Sequence, residues 1–228
     1  VGFFFAYLVS AKNVMILLSD KLEFPKVTQA SPEGLLAVGG DLSVERLILA
    51  YKTGIFPWFN DDDEVILWWS PDPRFVVFPD RLKVSKSMRQ LLRNTDFTVT
   101  VNKDFETVIA ECAKAKRSGQ AGTWITEHMI EAYTKLHQLG YAKSVEVWQD
   151  DKLVGGLYGV DLGNGVFCGE SMFAKVSNAS KVAFVTFIQN TKYNLIDCQV
   201  YTNHLESLGA EEIERALFLK YLGGHSRF

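Results

Sequence analysis

Three side chains in the C-terminal half of the chain are of types that take up protons or hold cations. Glu170 sits at the centre of "FCGESMF" (167–173), and Asp197 and Gln199 lie in "IDCQV" (196–200). A carboxylate inside an apolar strand is costly unless something pairs with it. Strand alternation puts Asp197 and Gln199 on one face and sends Cys198 into the opposite layer. By the same rule Glu170 and Met172 share a face. A strand–helix–strand connection leaves its two strands parallel and near each other. If those strands diverge, Glu170, Asp197 and Gln199 line one cleft between them. Such a cluster marks a candidate site, although a solvated or salt-bridged structural role would account for either acid taken singly.

The elements that position these residues can be read from periodicity. Ser43 caps a helix running to Tyr51, with Leu47, Ile48 and Tyr51 on its apolar side and Gly54 as its stop. The prolines and acidic turn of "GIFPWFNDDDEVILWWSPDPRFVVF" predict short strands joined by tight loops. Helices are predicted over 82–94, over 104–117 from an Asp104 cap, and over 126–140 with Gly140 as stop. Then "KSVEVWQ", "KLVGGLYGVDL" and "GVFCGESMF" follow, separated by "DD" and "GN", the turn chemistry of an antiparallel meander. A helix of about fifteen residues from Asn178 and the strand "NLIDCQV" close the pattern. This is an α+β order. It places a small N-terminal α/β domain over 15–71 and a larger domain over 72–228, whose mixed, mostly antiparallel sheet is flanked by helices.

The chain has 228 residues, 47% hydrophobic and 22% charged, with a formal net charge of -3. That balance gives no global case for nucleic-acid binding, so any such case rests on local patches. One patch exists. Lys83, Lys86, Arg89 and Arg93 follow at steps of three, three and four, with no acid between them. They form one stripe of the helix predicted over 82–94, and Lys114, Lys116 and Arg117 extend it. A stripe of this kind is commonly a solvated face; on an acidic chain it points instead to phosphates. Cys112, Cys168 and Cys198 are scattered and the four histidines complete no metal pattern, so the expectation is no metal and a reducing, cytoplasmic setting. The apolar start "VGFFFAYLVSAKNVMILL" is interrupted by Ser10, Lys12 and Asn13 before a spanning length is reached. Residues 1–14 therefore read as an upstream extension, with Met15 the natural start and no membrane anchor.

Taken in order, "EGLLAVGGDLS", "GIFPWF", "WWSPDPR", "GTWIT", "FCGESMF", "NASK" and "IDCQV" with "HLESLGA" resemble the motif series of leucyl/phenylalanyl-tRNA–protein transferases. The resemblance runs from about Met15 to Phe218. It implies a C-terminal domain of the GNAT acyltransferase type. It also implies transfer of Leu or Phe from aminoacyl-tRNA to proteins beginning with Arg or Lys, which marks them for degradation, without metal or cofactor. Asp197 and Gln199 then fall in the family's catalytic strand, Asp197 as a base or as a holder of the cationic acceptor, and Glu170 attracts the acceptor's charges. The donor side-chain pocket falls on Leu157, Phe167, Met172, Phe184, Phe187 and Ile196, each of which would serve equally as plain core. Tyr51, Trp58, Trp124 and Tyr133 match positions around the terminal adenosine. Thr202 stands where some members have asparagine, and His204 reads as a cap or packing group.

An acetyl-CoA-dependent N-acetyltransferase is the competing reading for the same fold class. Such enzymes usually cradle pyrophosphate on a glycine-rich turn opening the helix after the strand. Here that stretch is "AKVSNASK", without glycine. A non-enzymatic RNA-binding module would account for the basic stripe but leave Glu170, Asp197 and Gln199 idle.

Overall fold

The computed structural model describes residues 15–62, 64–115 and 124–224. Residues 1–14, Lys116 and Arg117 lie outside that range.

The N-terminal layer is a four-stranded sheet, built from β1 (Leu17–Leu18), β2 (Leu35–Gly39), β3 (Phe56–Pro57) and β4 (Leu67–Trp69) in the order β1-β2-β4-β3. Helix α1 (Val44–Lys52) packs in the same layer, begun as expected by Ser43, whose hydroxyl accepts the Arg46 N–H. The chain then passes into β5 (Arg74–Val77), a strand of the second sheet.

Next come α2 (Lys86–Asn94), β6 (Thr98–Val101), α3 (Phe105–Lys114) and α4 (Glu127–Gln138). The meander follows as β7 (Ala142–Gln149), β8 (Lys152–Asp161) and β9 (Val166–Ala174). Asp150 and Asp151 both take left-handed φ, 49° and 59°, which a two-residue turn between β7 and β8 requires. Then α5 (Ala179–Gln189), β10 (Leu195–Gln199), α6 (Asn203–Glu206), β11 (Glu211–Ile213) and α7 (Arg215–Leu222) complete the chain.

The second sheet has seven strands in the order β11-β5-β10-β9-β8-β7-β6. Every neighbouring pair is antiparallel except β9 and β10, which run parallel as the strand–helix–strand argument required. This is the expected mixed, mostly antiparallel sheet flanked by helices.

The sheet separates two apolar cores. On one side α3, α4 and α7 join the N-terminal layer through Leu36, Tyr51, Phe56, Val108, Tyr133 and Phe218. On the other, α2 and α5 pack through Met88, Val182, Phe184 and Phe187. Helix α7 ties the layers together. Its Arg215 donates from the guanidinium to the Ser70 carbonyl and from the backbone to Asp72 at 3.0 Å.

Some predicted elements are shorter than expected, and the helix expected over 104–117 ends at Lys114, after which Ala115 is extended. The helix expected over 82–94 starts at Lys86, because Ser85 accepts the Met88 N–H at 3.1 Å and caps it there. The Lys83 N–H donates instead to the Leu208 carbonyl at 2.9 Å, so Lys83 is off the helical stripe. The helix expected to run about fifteen residues from Asn178 has eleven. It ends where the Asn190 side chain donates to the Thr186 carbonyl at 2.8 Å, a local bond that competes with a further turn. Among the described residues, no helix is long and apolar enough to cross a membrane, and no group of three or more His, Cys, Asp or Glu side chains is placed to hold a metal ion.

Candidate active site

Glu170 occupies a β-bulge. Across from β9, Tyr158 opposes Ser171 and Gly159 opposes Gly169, which leaves Glu170 as the extra residue. Gly159 is required opposite the bulge. A Cβ there would meet the Cys168 carbonyl oxygen at 2.3 Å and the Phe167 ring at 2.5 Å. The bulge reverses the alternation of the strand. Phe167 and Met172 pack in the α5 core, while Cys168 and Phe173 pack in the α4 core. Strict alternation would have split each of these pairs. The expectation that Glu170 and Met172 share a face is therefore corrected: Glu170 turns toward Tyr133 of α4, and Met172 toward α5.

A second irregularity sits in β10. Against β5, Asp197 opposes Val76 and Gln199 opposes Phe75, so Cys198 is the extra residue. Gln199 has φ of 63°, in the left-handed region that a glutamine rarely enters. Its N–H donates to Asp197 Oδ1 at 2.9 Å, closing the tight turn. Cys198 packs toward the α5 core, the opposite layer anticipated for it. Strands β9 and β10 stay paired from Leu195/Val166 to Asp197/Cys168 and not beyond. Where they part, Gln199 Nε2 donates to Glu170 Oε1 at 2.8 Å. The amide and the carboxylate thus meet across the split, brought together by two bulges.

Asp197 is held elsewhere. Arg74 Nε donates to its Oδ1 at 2.8 Å and Nη2 to its Oδ2 at 2.7 Å, with both side chains buried. The guanidinium lies between the rings of Phe56 and Phe218, at 4.7 and 4.6 Å from their centroids. It also donates to the Gly54 carbonyl at 3.3 Å. Burial alone would lower the Arg74 pKa, but the Asp197 charge and hydrogen bonds raise it above the ordinary value. This is a fixed ion pair.

Glu170 is the adjustable carboxylate. Burial pushes its pKa up to about 7, against the hydroxyls of Tyr51 and Tyr133, which pull it down. Tyr133 donates to Oε2 at 3.1 Å, and the Tyr51 and Tyr133 hydroxyls share a short hydrogen bond. Both tyrosines are pushed well above the ordinary range, first by burial and then by the Glu170 charge, so they stay protonated.

These groups open onto a cavity of about 560 Å³. Leu157, Phe167, Met172, Phe184 and Ile196 line it on the α5 side. Glu170, Asp197, Gln199, Thr202 and His204 are among its polar groups, with Ser171, Ser180 and Tyr201 also in the lining, and Trp58 and Trp124 supply its indole rings. Thr202 also caps α6, accepting the Leu205 N–H at 3.2 Å. Three of the residues expected to touch substrate are set back from this wall. Phe187 backs Phe167, with ring centroids 4.8 Å apart, and Tyr51 and Tyr133 are buried behind Glu170. Away from the cavity, Lys86, Arg89 and Arg93 line a surface depression of about 420 Å³ with Gln90 and Asn94.

The sequence profile of the leucyl/phenylalanyl-tRNA protein transferase family matches residues 76–223, and that of its N-terminal domain matches 40–72. The chain belongs to this family. It is 60% identical over 211 residues to the leucyl/phenylalanyl-tRNA–protein transferase of Flavobacterium johnsoniae, covering 91% of this chain and 99% of that one. The transferase of Christiangramia forsetii is 55% identical over 212 residues, covering 91% of this chain and 100% of that one. Among solved structures, a GCN5-related N-acetyltransferase from Kribbella flavida overlays 72% of this chain and 59% of its own, with a TM-score of 0.38 and 14% identity.

In this member of the transferase family, two residues that hold the segments around the cleft, Arg74 and Asp62, were not singled out from the sequence. Arg74 had a visible signal, a cation opening the apolar run "RFVVF". Asp62 had none: from the loop after Trp58 it accepts the Glu127 N–H at 2.9 Å, so it caps α4 and links the segments that carry Trp58 and Trp124. His204 was read as a cap or packing group, yet it lines the cavity, and the cap of α6 is Thr202.

Proposed function

We propose that this protein transfers Leu or Phe from aminoacyl-tRNA to the N-terminal α-amine of proteins beginning with Arg or Lys, marking them in the cytoplasm for N-degron degradation. The observation that carries this reading is the Glu170–Gln199 bridge at an apolar cavity with indole rings in its wall. The cavity offers an unbranched β-carbon an apolar surface of Leu157, Phe167, Met172, Phe184 and Ile196, with Phe187 stiffening it from behind. Trp58 and Trp124 supply faces for the terminal adenosine. Stacking on such rings is worth about 1–3 kcal/mol per base. Tyr51 and Tyr133 act on substrate through Glu170. Lys86, Arg89 and Arg93 contact tRNA phosphates, with Lys83 beside them.

The reaction is aminolysis of an ester already activated for transfer. The acceptor nitrogen attacks the carbonyl carbon, the bond to the ribose oxygen breaks, and the proton lost by nitrogen ends on that oxygen. An α-amino group has a pKa of about 7.7–8.0, so a sizeable fraction is neutral near pH 7. Orientation then supplies much of the acceleration. Asp197, with both oxygens occupied by Arg74, serves as the anchor that fixes the Gln199 turn. Gln199 and Glu170 face the acceptor. A carboxylate that titrates near neutral pH is suited both to receive a proton and to hold a cationic N-terminal residue.

The test is transfer of radiolabelled amino acid from Leu-, Phe- and Ile-charged tRNA to peptides beginning with Arg, Lys or Ala. Transfer from the Leu and Phe donors to the Arg and Lys peptides is expected, with Ile and Ala pairings far slower. Equal transfer to the Ala peptide would sink the acceptor assignment.

A further inference from the structure

His204 is a polar group of the cavity that the mechanism above does not use. It is the second residue of α6, and its ring lines the same cavity as Glu170, Gln199 and Met172. Its Nε2 is buried and has no hydrogen-bond partner among the described residues. Buried polar atoms are nearly always paired, and one left alone costs the full desolvation of that group. An unpartnered nitrogen on a residue that lines a cavity therefore points to a partner that arrives with the ligand.

The surroundings narrow what that partner is. Burial, and then the charge of Lys181, lower the His204 pKa, so the ring is neutral at pH 7. A positive charge nearby disfavours a cationic amine at Nε2 and favours an oxygen, above all one that gains negative charge. His204 lies on the short helix that follows β10, and its neighbour Leu205 packs in the α5 core with Met172 and Phe184. His204 thus shares one cavity with both the apolar wall and the acceptor-facing pair, and an ester held there by its side chain presents its carbonyl to the same space.

We propose that His204 is a further catalytic residue, whose Nε2–H donates to the carbonyl oxygen of the aminoacyl ester. As the acceptor amine forms the C–N bond, the carbonyl π pair moves onto that oxygen, and His204 holds the charge. When the C=O re-forms, the bond to the ribose oxygen breaks, its electron pair leaves on that oxygen, and the proton released by nitrogen goes there. The inference rests on the reading of this cavity as the aminoacyl-ester site.

The experiment compares wild type, His204→Leu and His204→Gln in single-turnover transfer from Leu-tRNA to an Arg peptide, alongside Leu-tRNA binding and thermal unfolding. Loss of one oxyanion donor typically slows chemistry about 100- to 1000-fold, so His204→Leu should fall by that order. Its Kd for Leu-tRNA should move by less than about threefold, since the contact strengthens only in the transition state. Its unfolding temperature should equal or exceed that of wild type, because an unpaired buried nitrogen has been removed. His204→Gln, which keeps an N–H at similar reach, should recover at least about tenfold of the lost rate. An active wild type with His204→Leu at the same speed overturns the role of His204 alone. So does a rate loss matched by lost binding or lost stability, which would make His204 structural. A wild type that transfers no Leu overturns the reading of the cavity, and this proposal with it.

Discussion

Arg74 and Asp197 form a buried bidentate pair, 2.8 and 2.7 Å across its two bonds, with the Gln199 backbone hung from the same carboxylate at 2.9 Å. The pair spans β5 and β10, and Arg74 is wedged between Phe56 of the N-terminal layer and Phe218 of α7. A charge in this position affects stability as much as chemistry. Asp197→Asn would leave Arg74 buried without a counter-ion, and breaking such a pair from one side costs about 3–5 kcal/mol. Urea unfolding should show a loss of that order. An unchanged midpoint would mean that Asp197 is not the counter-ion of Arg74.

Glu170 gives a stability that depends on pH. Its folded pKa is raised from 4.5 to about 7 by burial, so the native state holds this proton more tightly than the unfolded chain. The contribution is fully present below pH 4.5 and is lost as pH rises through about 7. It amounts to an order of 3 kcal/mol. Glu170→Gln keeps the shape and removes the titration. Unfolding free energies of wild type and variant, measured from pH 4.5 to 8, should therefore diverge by that order in favour of the variant as pH rises. Parallel curves would show that Glu170 ionises as freely in the folded protein as in the unfolded one.

The two bulges show where the sequence stopped being readable. The meander, the parallel return of β10 and the α+β class followed from periodicity and turn chemistry, because those patterns depend on neighbours in sequence. The meeting of Glu170 and Gln199 was also foreseen, though by an alternation rule that neither strand obeys. Extra residues at Glu170 and Cys198 rotate the chain locally, and what demands them lies across the sheet: Gly159 opposite one, and Arg74 holding Asp197 beside the other. Contacts of that kind have no local signature. The same holds for Tyr51 and Tyr133, whose place behind Glu170 depends on α1 meeting α4 in one core, a contact between segments far apart in sequence.

The helical stripe on α2 should carry part of the tRNA affinity. Lys86, Arg89 and Arg93 are exposed and line one depression, whereas Lys83 belongs to the preceding segment. Each phosphate contact contributes roughly 0.7–0.9 to the slope of log K against log salt, so changing all three residues to Ala should flatten it by about 2 to 3. The measurement is tRNA affinity across a salt series. A slope equal to that of wild type would reduce the stripe to a solvated helix face.

Donor choice offers the sharpest prediction about the apolar wall. Met172 stands directly across from Leu157 in the β8–β9 register, and both pack in the core beneath α5 with Phe184. A pocket of this kind reads its guest by shape, and one methylene is worth only about 1–3 kcal/mol there. The flexible thioether of Met172 can move aside for Phe and close again on Leu. Met172→Ala leaves a gap that the branched Leu side chain fills poorly, while the larger Phe ring still occupies part of it. Transfer of Leu should therefore drop by about 10- to 100-fold more than transfer of Phe. Relative rates with Leu-, Phe-, Met- and Ile-charged tRNA at fixed acceptor decide the matter. If Leu and Phe fall together and their ratio to Ile stays constant, Met172 is ordinary core and the discriminating wall lies among the other apolar residues of the cavity.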